Sequence, residues 1–137
     1  MVEHQGEFYE FPRLVMRPEA PGRIPIYVGG FSKPALRRAA RLGDGWVSDL
    51  HDTAELSRLI DEVQALRREY GTADRPFEII ASVMDAFDVD GYRRLEDLGV
   101  THLMTMPWVF YGGQTESLDD KLDGIKRFGD DVIQVMA

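Results

Sequence analysis

Ile24-Pro25-Ile26-Tyr27-Val28-Gly29-Gly30-Phe31-Ser32-Lys33-Pro34-Ala35-Leu36-Arg37-Arg38-Ala39-Ala40-Arg41-Leu42-Gly43-Asp44-Gly45-Trp46 is the stretch on which the reading of this chain turns. A short β-rich apolar run stops at a double glycine, and a helix begins at once. Two glycines where a strand ends let the backbone turn sharply and let a ligand approach without a Cβ in the way. Ser32 suits an N-cap, and Pro34 suits a first helical turn, because the amide it lacks would go unpaired there. The spacing predicts a strand over 24–28, a helix over 32–42 and a second strand over 45–49. Free N–H groups and the helix dipole behind such a turn favour an anion. Glycine turns also join strands to helices with nothing bound, so the pattern alone leaves both uses open.

Working downstream, the alternation continues. Asp52-Thr53-Ala54-Glu55 has capping-box spacing, and Leu56, Leu59, Ile60, Val63 and Leu66 recur at helical period. The other face of that helix, with Arg58, Asp61, Glu62, Arg67 and Arg68, reads as solvated. A third strand is expected over 77–83, a short helix over 89–98, a fourth strand over 100–106, and a last helix opening at Ser117 with Leu122, Ile125, Phe128 and Val132 as its buried stripe. Strands alternating with helices imply a parallel sheet with right-handed connections. A complete (β/α)8 barrel takes about 250 residues. The 137 residues here, with four strands and four helices, fit a (β/α)4 half of a TIM-type barrel; an open flavodoxin-type sheet is the alternative. Such a half has an apolar concave face and two unpaired edge strands, which invite association. Upstream, Pro12, Pro18 and Pro21 argue against a helix, so residues 1–23 read as an extended arm carrying His4 on the surface, and 24–137 as the half-barrel domain.

Composition narrows the function. A formal net charge of −8 argues against nucleic acid and anionic membrane as partners. The absence of cysteine excludes disulfides, thiolate nucleophiles and cysteine-held metals. No apolar run approaches the roughly 20 residues that span a bilayer, and a cytoplasmic protein is expected.

The run from Ile24 to Ser32, followed by Ala35-Leu36-Arg37-Arg38-Ala39-Ala40-Arg41-Leu42-Gly43-Asp44-Gly45-Trp46, resembles the luciferase-like monooxygenase family, and especially its members that use the deazaflavin coenzyme F-420. Gly6-Glu7-Phe8-Tyr9-Glu10-Phe11 and Ser117-Leu118-Asp119-Asp120-Lys121-Leu122-Asp123-Gly124-Ile125 resemble it too. Family members are complete barrels about twice this long, and the match is to their C-terminal half. The resemblance implies an oxidoreductase, acting as a monooxygenase or by hydride transfer, with F-420 or FMN at the C-terminal ends of the strands and a small-molecule substrate. It places Gly29, Gly30 and Ser32 at the turn that meets the cofactor's phosphate side, and Ser48 and Asp49 where the next strand faces the site. The acid/base residues of the deazaflavin-dependent dehydrogenases lie on earlier strands without counterpart here, so no catalytic residue is named.

Position alone adds His51 to Ser48 and Asp49 as substrate-side candidates, since strand C-terminal ends are where α/β proteins hold ligands; a polar loop without chemistry is the other reading. Trp108, in Pro107-Trp108-Val109-Phe110-Tyr111-Gly112-Gly113, fits either a pocket wall or an apolar plug. No metal site is expected. Two functional classes stand: a luciferase-like oxidoreductase represented by a half that is not active alone, and a non-catalytic half-barrel that binds a phosphate-bearing ligand or only self-associates. A homodimer closing an eight-stranded barrel is expected; a dimer that buries the concave faces without closing the barrel is the alternative.

Overall fold

The computed structural model describes residues 1–15, 17–111 and 117–137. A hairpin comes first, β1 (Val2–Gln5) antiparallel to β2 (Glu10–Leu14). The main body then alternates β3 (Tyr27–Gly29), α1 (Lys33–Leu42), β4 (Gly45–His51), α2 (Thr53–Glu69), β5 (Glu78–Val83), α3 (Val89–Asp97) and β6 (His102–Leu103). A short α4 (Pro107–Tyr111) and α5 (Leu118–Phe128) follow, and a π-helical turn at Gly129–Ile133 runs into α6 (Gln134–Met136). The sheet order is β3-β4-β5-β6 with every pair parallel, so all strands end on one rim. This is the expected half-barrel, and among the described residues its two outer strands have one neighbour each.

The core lies between this sheet and the helices. Leu36, Ala39 and Ala40 of α1 meet Trp46 of β4, Leu56, Leu59, Ile60 and Val63 of α2, and Ile79, Ala81 and Val83 of β5. Alternate burial along β5 shows which face is which: Ile79, Ala81 and Val83 are covered, while Glu78, Ile80 and Ser82 lie on the open face that would become the inside of a closed barrel. The small alanines of α1 allow close packing, and the outward Arg37, Arg38 and Arg41 are exposed as expected.

Five expectations need correction. Residues 1–23 contain an ordered hairpin rather than an arm without elements. Pro12 is tolerated because both strands of a two-stranded ribbon are edges. The ladder strands are shorter than expected at 24–28 and 100–106. Arg67 is not solvated but buried, 5% exposed. In the last helix Leu122 and Ile125 are exposed; Gly124 and Val132 are buried and Phe128 is half-buried. The open face is also not simply apolar, since on it Tyr27 is hydrogen-bonded to Glu78, and His102, whose Nδ1 lies 3.0 Å from the Thr101 hydroxyl, stands 3.9 Å from the same carboxylate.

Candidate functional site

The turn after β3 is built by two constraints. Gly30 has φ +102°, a backbone conformation that side chains with a Cβ rarely adopt, and a Cβ there would stand 3.2 Å from the Ala35 Cβ. Its carbonyl is fixed from the core side by Trp46 Nε1, which donates at 2.8 Å. Gly29 has open space where a Cβ would be. Ser32 occupies the N-cap of α1 with extended backbone angles, yet its hydroxyl makes no capping bond, unlike Asp52, Asp88 and Ser117 at the starts of α2, α3 and α5. The first turn of α1 holds no acidic residue. The result is a helix N-terminus with an uncommitted hydroxyl, open space over Gly29 and no carboxylate in that turn to repel an anion.

β4 brings the other candidates to the same rim. Its register slips between Val47 and Leu50. Within that irregularity the buried Ser48 hydroxyl donates to the Asp49 carbonyl at 2.9 Å, and Asp49 Oδ1 accepts the Leu50 amide at 2.9 Å. Both polar groups therefore serve the shape of the strand end. His51 closes the strand, its ring edge-on to Phe31 with centroids 5.4 Å apart. Its Nε2 is buried and has no hydrogen-bond partner among the described residues. The turn after β3 and the end of β4 are thus one locality. Trp108 is not part of it: α4 follows β6 at the opposite edge of the sheet, and the Trp108 backbone packs on α5 at Gly124, where a Cβ would come within 2.6 Å. Phe110 stacks on Phe87 at 4.2 Å, so α4 lies against the loop between β5 and α3. Gly112 and Gly113 lie outside the described residues.

Next to this rim Asp85 accepts the Thr53 amide and hydroxyl, at 3.0 and 2.7 Å, which holds its carboxyl below the ordinary range. Sequence reasoning missed two contributors. Trp46 was legible only as part of the second strand, and Phe31 only as part of the turn; their contacts join positions 16 and 20 residues apart in the chain. Among the described residues no group of three or more His, Asp or Glu is placed to hold a metal ion. Among the described residues no helix is long and apolar enough to cross a membrane.

Residues 1–117 match the model of the luciferase-like monooxygenase family. The chain belongs to that family. It is 45% identical over 134 residues to an uncharacterized protein of Mycobacterium tuberculosis, covering 96% of this chain and 46% of that one. It is 28% identical over 102 residues to an F420-dependent glucose-6-phosphate dehydrogenase of Nakamurella multipartita, covering 70% of this chain and 29% of that one. The coenzyme F420-dependent tetrahydromethanopterin reductase of Methanopyrus kandleri has a similar fold, with a TM-score of 0.58 at 13% identity over 83% of this chain and 51% of that one. The luciferase-like chain described here therefore spans about half the length of these mycobacterial relatives, and its fold corresponds to half of the reductase.

Proposed function

We propose that this luciferase-like chain is the cofactor-phosphate half of an oxidoreductase that uses a deazaflavin of the F-420 type or FMN. The observation that carries the reading is the turn at Gly29, Gly30 and Ser32, with room over Gly29, a strained glycine backbone pinned by Trp46, and a serine hydroxyl that the helix does not use. A phosphate needs several donors converging without a competing carboxylate, and these residues fit it. The backbone amides and Ser32 would hold the anion, and Trp46 would keep the turn from collapsing. The orphaned Nε2 of His51, one strand over, is a polar group whose missing partner a ligand can supply; an unpaired buried nitrogen otherwise costs about 1–3 kcal/mol. When bound, the cofactor's ring supplies the hydride or oxygen chemistry, while the chain binds, orients and excludes water. None of the described side chains is assigned as a catalytic acid or base.

In this reading a second copy closes the barrel. β3 and β6 each have one neighbour, and a two-fold rotation about the barrel axis sets β3 of each copy beside β6 of the other, with all eight strands parallel. Fluorescence titration with F-420 and with FMN tests the cofactor assignment. The parent protein should bind one of them, and Gly30→Val should lose at least tenfold in affinity while keeping its circular dichroism spectrum. Equal affinity, or no binding by the parent, overturns it.

A further inference from the structure

Three side chains from three strands form one polar row across the open face of the sheet. Tyr27 on β3 donates its phenol O–H to Glu78 Oε2 on β5 at 2.5 Å, and that carboxylate oxygen lies 3.9 Å from His102 Nδ1 on β6. β4, between the first two, contributes Gly45, where a Cβ would stand 2.6 Å from the Tyr27 ring. Only a residue without a side chain lets the ring lie across that strand. The bond to Glu78 raises the Tyr27 phenol above its ordinary range, and Asp44 adds to the same field from the strand's near end, where Arg23 pairs with it. The row is nevertheless open to water: Tyr27 is 38% exposed, and the Glu78 and His102 side chains 43% and 57%. Inside a closed eight-stranded parallel barrel, side chains fill the interior in layers of four, the four coming from alternate strands. Tyr27 and Glu78 stand on alternate strands, β3 and β5, so one chain supplies two members of such a layer.

We propose that the other two are the Tyr27 and Glu78 of a second copy, with His102 of each copy seated against Tyr27 of the other. The proposal rests on the two-copy reading above and adds how the copies recognise each other. The ends of the row lie on the two free edges, Tyr27 on β3 and His102 on β6, so the rotation that joins the edges also joins the ends of the row. Their chemistry is complementary: the phenol oxygen keeps acceptor capacity while its O–H donates to Glu78, and an imidazole N–H is a donor. Each seam then holds one Tyr27–His102 contact, and the dimer holds two.

This arrangement makes a complementation test possible. Tyr27→Phe removes only the phenol oxygen and His102→Ala only the imidazole, and circular dichroism checks that each variant is folded. Each substitution destroys both seams of its own homodimer and should weaken association by about tenfold or more in sedimentation equilibrium. A mixture of the two variants keeps one seam intact, made by Tyr27 of the His102→Ala copy and His102 of the Tyr27→Phe copy. The mixed dimer should therefore be several-fold tighter than either variant alone. A dimer that both substitutions leave unchanged, or a mixture no tighter than its components, overturns the polar-row contact and leaves the two-copy reading standing. A parent protein that sediments as a monomer at all concentrations overturns both.

Discussion

Arg67 donates from one guanidinium nitrogen to the carbonyls of Thr72, Ala73 and Arg75, at 2.9, 3.2 and 2.6 Å, and lies over the Phe77 ring at 4.4 Å. It thereby organises the whole turn between α2 and β5, and its burial lowers its pKa. Arg67→Met removes the donors and leaves those carbonyls without this partner, so it should cost about 2–3 kcal/mol in urea unfolding; an unchanged midpoint would contradict this. The residue sits four positions after Val63, on the same stripe as Leu56 and Ile60. That spacing was the available signal, and a reading by charge passes over it. Asp44 is a second clip: it accepts from Arg23 at 2.6 Å and from the Ile26 amide at 2.8 Å, and these bonds hold its carboxyl below the ordinary aspartate range. A depressed carboxylate contributes stability that is present at neutral pH and lost as pH falls below about 4. Asp44→Asn should therefore lower the melting temperature at pH 7, and the difference from the parent should shrink as pH falls below about 4. A constant difference across that window would show that Asp44 acts without its charge.

At the scale of elements, period and capping made most of the body legible. Asp52 caps α2 through the Glu55 amide at 2.8 Å, and Leu56, Leu59, Ile60 and Val63 are buried as the spacing predicts. The last helix was misjudged because a hydrophobic stripe does not say which neighbour it meets. α5 lies so close to α4 at Gly124 that the buried row is Gly124, Phe128 and Val132, which turns Leu122 and Ile125 outward. The hairpin was hidden by Pro12, whose effect depends on whether a strand is central or an edge. Gly45 shows the reverse case, a glycine whose reason lies outside its own strand. Besides the Tyr27 ring, a Cβ at position 45 would meet the Glu78 carbonyl at 2.6 Å. Gly45→Ala should therefore cost about 1–3 kcal/mol by overpacking, read from thermal melts, and a neutral substitution would mean the sheet relaxes freely there.

For the whole molecule, the count of strands and the chain length sufficed to read half a barrel. The row on its open face was not legible, since Tyr27 and Glu78 are 51 positions apart and nothing local pairs them. Closure across the edges can be tested cleanly because the chain has no cysteine of its own. Ile26 and Met104, 59% and 52% exposed, lie next to the two free strands. With a short bis-maleimide, the double variant Ile26→Cys with Met104→Cys should give a covalent dimer. Either single variant should not, because its two thiols would lie on opposite seams. Cross-linking of a single variant would point to like edges meeting instead. The common direction of the four strands carries a further consequence for stoichiometry. In the two-copy barrel proposed above, a two-fold axis along parallel strands cannot put the two glycine turns at opposite ends; both would open into a single mouth, facing each other across it. Two ligands with bulky ring systems would then compete for one volume, so a binding isotherm should saturate at one molecule for every two chains.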